Sequence, residues 1–270
     1  MGPQGRRRYW TVLAVVGATA VGTGLLGLLA GNTWLLTGDI VLWLTSEGSP
    51  VVRFALDERA PRVAAALAAG AALALSGSLV QATCRNPLAE PGILGITGGA
   101  GLAAVVVVTG GNATMIAAAT GGVLAAFGLV YSVAWRGGLH TDRLVLVGVG
   151  VWYAATALTT YLLVRSNPWD TPKIYTWLSG TTYGRSWTQV VPVVLALLVA
   201  LAARRELDLL AIDEDTPRIV PVAVLLGAVL LGLAGTVGRT VVAPAQLPAG
   251  LAVALIGAPY IVYLLARSRA

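Results

Sequence analysis

Apolar residues run along this chain in long blocks, each broken by a short segment that concentrates arginine, proline, glycine and the few carboxylates. A helix rises ~1.5 Å per residue, so crossing a hydrocarbon core of ~30 Å takes about 20 apolar residues. Blocks of that size lie near 10–31, 63–83, 92–110, 113–135, 143–164, 187–203, 219–238 and 248–266, which predicts eight helices. The blocks at 92–110 and 187–203 are short for a full crossing and fit a tilted or partial span. The last block has Pro248 just inside its start and Arg267 and Arg269 beyond its end, as a terminated span should. The expected fold is all-α: an integral membrane protein, polytopic, with one transmembrane domain over residues 1–270.

Composition agrees with the pattern. Of the 270 residues 57% are hydrophobic and only 11% charged, against roughly 25% charged in a soluble domain; mean hydropathy is +0.80. The 33 glycines and two phenylalanines predict helices packed through small residues, because lipid supplies no hydrophobic drive between spans. The N-terminal "GRRRYW" leads into an apolar block without a small-residue cleavage site, and it reads as a retained first span.

The net charge of +6 comes from arginines scattered between the blocks, not gathered on one face among aromatics, so nucleic acid is not an expected partner. With the N-terminus inside, the inner segments carry eleven of the 18 basic residues and the outer segments seven. The positive-inside bias therefore puts both termini in the cytoplasm and makes membrane lipid the surrounding partner. Arg59 and Arg62 bracket Pro61 at the mouth of the second block, where Pro61 suits a helix start, and Arg239 ends the seventh on the same outer side. Two readings of these arginines stand. Their long stems can anchor the helices at the headgroups, or their guanidinium groups can receive carboxylates of an acidic partner.

Several classes are excluded. No GxxxxGK[ST] motif occurs and the only lysine is Lys173, so the chain does not bind ATP through a P-loop. No block has Asp, Glu, His or Lys at its centre, which disfavours a proton-driven carrier. Cys84 and His140 are the only residues of their kinds, so neither a disulfide within the chain nor a histidine and cysteine metal cluster is available. No cofactor is expected, and no catalytic constellation points to an enzyme. Asp213, Glu214 and Asp215 form a charge run beside Arg218 that reads as a solvated face. What remains is a passive conduit driven by another subunit.

The segment "LVQATCRNPLAEPGILGITGGAG", residues 79–101, interrupts the apolar pattern with Arg85, Asn86, Pro87, Glu90 and Pro91. Pro87 lacks an amide and disfavours helix at Asn86, so the second helix must end there, with Asn86 available to turn the loop. Pro91 sits at the start of the next helix. Gly95, Gly98, Gly99 and Gly101 keep that helix thin enough for close neighbours.

Residues 59–104, "RAPRVAAALAAGAALALSGSLVQATCRNPLAEPGILGITGGAGLAA", resemble the signature region of the FecCD-like permease subunits of bacterial ABC importers for iron-siderophore, haem and vitamin B12. The resemblance continues through "LVLVGVGVWYAATALTTYLL" (144–163), "WLSGTTYGRSW" (177–187), "LDLLAIDEDTPR" (207–218) and "QLPAGLAVALIGAPYIVYLL" (246–265). It implies a permease in the bacterial cytoplasmic membrane that translocates an iron-siderophore-type chelate and pairs with a second, identical or homologous, permease subunit. Cytoplasmic ATPase subunits would power it, and an extracytoplasmic substrate-binding protein would dock on Arg59, Arg62 and Arg239. It further implies that Asp213, Glu214, Asp215 and Arg218 belong to the loop that couples to the ATPase, and that the fifth block resembles the helix lining the pathway.

The chain also departs from that family. Members usually have ten spans, but here "LDLLAIDEDTPR" passes straight into "IVPVAVLLGAVLLGLAGTVGRT", which resembles the ninth, so an internal deletion of roughly 50–60 residues is expected near 218–219. Gly235 stands where the family often has an aspartate four residues before the arginine. A truncated membrane scaffold that binds the same partners without transporting is the alternative reading.

Overall fold

The computed structural model of the chain describes residues 3–31, 33–86, 89–110, 115–135, 138, 140–203, 216–241 and 246–268. Among them the regular elements are all helical: α1 (Pro3–Leu29), α2 (Thr37–Leu44), α3 (Pro50–Cys84), a 3-10 turn (Pro91–Leu94), α4 (Ile96–Gly110), α5 (Met115–Ala134), α6 (Thr141–Arg165), α7 (Thr171–Leu178), α8 (Trp187–Ala202), α9 (Thr216–Thr240) and α10 (Ala249–Ser268). Five described segments are long and apolar enough to cross a membrane: Gln4–Leu29, Pro50–Cys84, Met115–Ala134, Thr141–Arg165 and Ile219–Thr240. Ile96–Thr109, Trp187–Ala202 and Ala249–Tyr263 are shorter apolar helices. Together these eight match the eight blocks of the sequence, and the eight-residue α2 and α7 are additions too short to register as blocks.

The second helix corrects its expected boundary. α3 starts at Pro50, not at Pro61, which lies inside the helix. Ser49 supplies the start signal: its carbonyl accepts the Arg53 N–H at 3.0 Å, and its Oγ accepts the Val52 N–H at 3.4 Å. Pro50 then occupies the first position, where a missing N–H costs nothing. Trp43 of α2 donates from Nε1 to Asp57 Oδ1 at 2.8 Å, tying α2 to this early part of α3.

The residues group into two compact units. The first comprises described residues within 1–75, 179–203 and 216–268, with α1, α9 and the first part of α3 crossing through glycines. A Cβ at Gly70 would clash with the carbonyl oxygen of Gly227, and one at Gly227 with that of Gly70. A Cβ at Gly27 would lie 2.9 Å from Val63 and 3.2 Å from Thr236 Oγ1, so α1 enters the same crossing. The start of α10 is held to the 179–186 segment by the Gly250 N–H, which donates to the Gly180 carbonyl at 3.1 Å.

The second unit, within 76–178, packs α4 against α5 and α6. Gly99 and Gly122 meet backbone to backbone where α4 crosses α5. Leu94, Val130, Ala134 and Leu144 form its buried cluster, with Val80, Ile96, Val147 and Val151 around it.

The elbow between α3 and α4 is built more tightly than expected. Arg85 takes the left-handed conformation, φ 48°. Its N–H donates to the Ala82 carbonyl at 3.2 Å, and the Asn86 N–H donates to the Gln81 carbonyl at 3.1 Å. Those two bonds are a Schellman termination, with an arginine where glycine is usual. Pro91 opens the 3-10 turn, not the long helix; Gly95, at φ 76°, ends that turn, and α4 begins one residue later. Gly95 therefore serves as a left-handed cap whose place no Cβ-bearing residue takes without strain, while Gly99 has the close-packing role. Pro87 lies outside the described residues.

Candidate functional site

A helix leaves its last four carbonyls without partners of its own, and in a membrane protein each unsatisfied one is costly. At the end of α1 all four are accounted for. Leu26 accepts from the Ala30 N–H at 2.8 Å, and Gly27 accepts from Arg239 Nη2. Leu28 accepts from Arg59 Nη1 at 3.1 Å; Leu29 accepts from Arg59 Nη1 at 3.2 Å and from the Leu35 N–H at 3.0 Å. The other terminal nitrogen of Arg59, Nη2, donates to Thr33, to its carbonyl at 2.8 Å and its Oγ1 at 3.1 Å. Two arginines from α3 and α9 thus cap α1, where the helix dipole also favours cations.

Arg62 completes the group. It lies one turn beyond Arg59 on α3, with its guanidinium carbon 5.6 Å from the centre of the Tyr183 ring, within cation–π range. Arg59, Arg62 and Arg239 are only 8%, 7% and 6% exposed, so none lies spread on the surface as a headgroup anchor would. All three line a cleft of about 240 Å³ whose walls also include Thr33, Val51, Phe54, Glu58 and Gln246. Arg239 feels the repulsion of Arg62 and Arg59 and the attraction of Glu58. The Nε atoms of Arg62 and Arg239 are buried without a hydrogen-bond acceptor.

The structure therefore brings together the three arginines singled out by sequence. Thr33, Tyr183 and Gln246 join them without having been singled out: polar residues in loops carry no periodic signal, although Tyr183 falls in the quoted segment 177–187. Nearby Arg185, in the segment before α8, donates to the Thr181 carbonyl at 3.2 Å, and burial pushes its pKa below the usual arginine value. Of the expected coupling residues, Asp213, Glu214 and Asp215 lie outside the described residues, and Arg218 falls in the first turn of α9.

Long glycine-crossed helices and a buried cationic cleft at the helix ends define a polytopic membrane protein with the fold of an ABC transporter membrane subunit. The chain superposes on a solved chain of an inward-facing metal-chelate type ABC transporter with a TM-score of 0.77 at 22% identity, covering 95% of this chain and 99% of that one. The model of the FecCD transport family matches residues 19–219 and 215–267, so this chain belongs to the FecCD transport family. Among its relatives, the achromobactin transport system permease protein CbrC of Dickeya dadantii is 34% identical over 95% of this chain and 91% of its own. The vitamin B12 import system permease protein BtuC of Salmonella paratyphi A is 30% identical over 90% of this chain and 91% of its own.

Proposed function

We propose that the chain is the permease subunit of an ABC importer that carries an iron-siderophore-type metal chelate into the cytoplasm. The observation that carries this reading is the family match, which extends from residue 19 to residue 267. Relatives named for achromobactin and vitamin B12 transport support the substrate class. In this reading ATP hydrolysis resides in a separate subunit seated against the segment containing Asp213, Glu214, Asp215 and Arg218. A substrate-binding protein approaches the outer ends of α1, α3 and α9, where Arg59, Arg62 and Arg239 converge. Two permease chains enclose the pathway in the cytoplasmic membrane, with both termini inside.

We also infer an internal deletion relative to relatives. The family model matches in two pieces that meet at 215–219, and the alignment to the achromobactin permease runs over 322 residues although this chain has 270. Both facts support a missing segment of about two spans with their connections.

The test is reconstitution of the full chain with its ATPase subunit and substrate-binding protein in proteoliposomes, measuring stoichiometry and uptake of a labelled ferric chelate. Equal numbers of permease and ATPase chains with ATP-dependent accumulation support the importer. Stable partner binding without accumulation overturns it in favour of a scaffold.

A further inference from the structure

The chain changes units abruptly inside one helix. Through Ala74, α3 belongs to the first unit: Gly70 meets Gly227 backbone to backbone, and a Cβ on Gly227 would also collide with Ala74. Six residues later Val80 packs on the cluster of Leu94, Val130, Ala134 and Leu144 in the second unit. The switch falls between Leu75 and Ser76, and α3 runs unbroken through it from Pro50 to Cys84. Gly77 is the midpoint of that stretch, flanked by Ser76 and Ser78.

Static packing gives Gly77 no reason to be glycine. A glycine inside a helix is destabilising relative to alanine, and on the same helix Gly70 offsets that cost by the close approach of Gly227. Gly77 stands in helical backbone, and a Cβ on it would meet nothing within 4 Å. Gly22 and Gly128 are as open, but each lies inside one unit. The other passage between units among the described residues, from Leu178 to Ser179, is built alike. Leu178 packs beside Gly101 in the second unit, whereas Gly180 is held in the first, where its carbonyl accepts the Gly250 N–H at 3.1 Å. Gly180 is left-handed, φ 80°. Each passage thus enters the new unit through serine followed by glycine.

We propose that Gly77 is a hinge: α3 bends at Ser76, Gly77 and Ser78, and the two units turn about that point as the transporter cycles. This rests on the importer reading and names a moving joint within it. A bent helix gives up backbone hydrogen bonds, which is costly in hydrocarbon unless another group takes them over. Serine hydroxyls beside a glycine supply such a group, and Gly/Ser pairs are among the few places where helices kink sharply. Alanine at 77 fits the straight helix and favours it, so it works against the bend.

The experiment uses the full chain in nanodiscs, alone and with its ATPase subunit and binding protein, in a C84A background that removes the only cysteine. Spin labels on V12C and V237C report on the first unit and labels on V133C and V164C on the second; all four positions are exposed and helical. Distances are measured by pulsed electron resonance within each unit and across the two, and uptake of a labelled ferric chelate is followed in proteoliposomes. The expected result is one population of distances within each unit and two across them, exchanged by ATP when the partners are present. G77A, whose Cβ has room, should deplete the minor population on the order of fivefold, the equivalent of one glycine-to-alanine step in helix propensity. Uptake should slow with it while the melting temperature holds or rises. G128A, at an equally open glycine inside one unit, should leave distances and uptake unchanged. A single narrow population across the units overturns the hinge, as does a minor population that G77A leaves intact. Equal losses in G77A and G128A mark general stiffening and also overturn it. A minor population depleted by G77A, in a chain with neither an ATP response nor uptake, upholds the hinge and overturns the importer reading instead.

Discussion

Gly70 of α3 and Gly227 of α9 face each other so closely that a Cβ on either would clash with the other's carbonyl oxygen. Neither helix can shift a side chain aside to make room, because the obstruction is backbone. Gly70→Ala therefore forces the two helices apart. Overpacking costs about 1–3 kcal/mol, only partly offset by about 1 kcal/mol of helix propensity. The melting temperature in detergent should fall for G70A and fall further for G70L. Gly77, later on α3, has open space around its Cβ position, so G77A should hold or raise it. Equal effects at 70 and 77 would show that the crossing is loose.

The capping of α1 predicts a different kind of damage. Arg59→Met keeps the length and apolar stem of the side chain but leaves the Leu28 carbonyl without its donor and Leu29 with one fewer. A buried acceptor left unsatisfied costs about 1–3 kcal/mol. The loss should be local first. Hydrogen exchange at the Leu35 amide, which donates to Leu29, should accelerate in R59M while amides of α5 keep their protection. Unchanged exchange at Leu35 would mean that the arginine does not hold the end of α1.

Gly235 lies one helical turn before Arg239, and a Cβ there would meet Ala66, Thr182 and Ala249 at 3.8–3.9 Å, which is ordinary contact. Gly235→Asp is therefore sterically admissible at its first carbon and sets a carboxylate four residues before an arginine with an unpartnered Nε. Replacing a helical glycine removes up to about 1 kcal/mol of propensity cost, and a charge-assisted bond adds to that gain. The melting temperature should rise. If it falls, burial of the new carboxylate outweighs its pairing with Arg239.

Much of this architecture was legible in the sequence because its signals are local. Apolar blocks of membrane length marked the eight apolar helices, and the Asn86 and Pro91 context marked the elbow. What was not legible depends on contacts across the chain or on competing local signals. Pro61 looked like a helix start because proline favours that position, but Ser49 and Pro50 carry the same signal eleven residues earlier, and the helix begins there. Gly95 and Gly99 looked alike in a glycine-rich run; only backbone geometry separates a left-handed cap from a crossing point. The arginines could be grouped by sequence, but their attachment to carbonyls of α1, about 30 and 212 residues away, follows from packing alone. Periodicity has no access to such pairs.

Arg85 offers a prediction in the opposite direction. A non-glycine residue in the left-handed region is strained by its Cβ, by roughly 1–2 kcal/mol, and here the conformation is fixed by the two Schellman bonds to Gln81 and Ala82. Arg85→Gly relieves that strain while leaving both bonds in place, whereas Arg85→Ala keeps the Cβ and gains nothing. The unfolded chain gains freedom with glycine, which returns part of the benefit. R85G should therefore melt about as high as the parent or higher, and R85A should melt no higher than the parent. If R85G and R85A both lower the melting temperature, the long side chain's own contacts outweigh the backbone. The elbow would then be held by the arginine side chain itself and not by the helix termination.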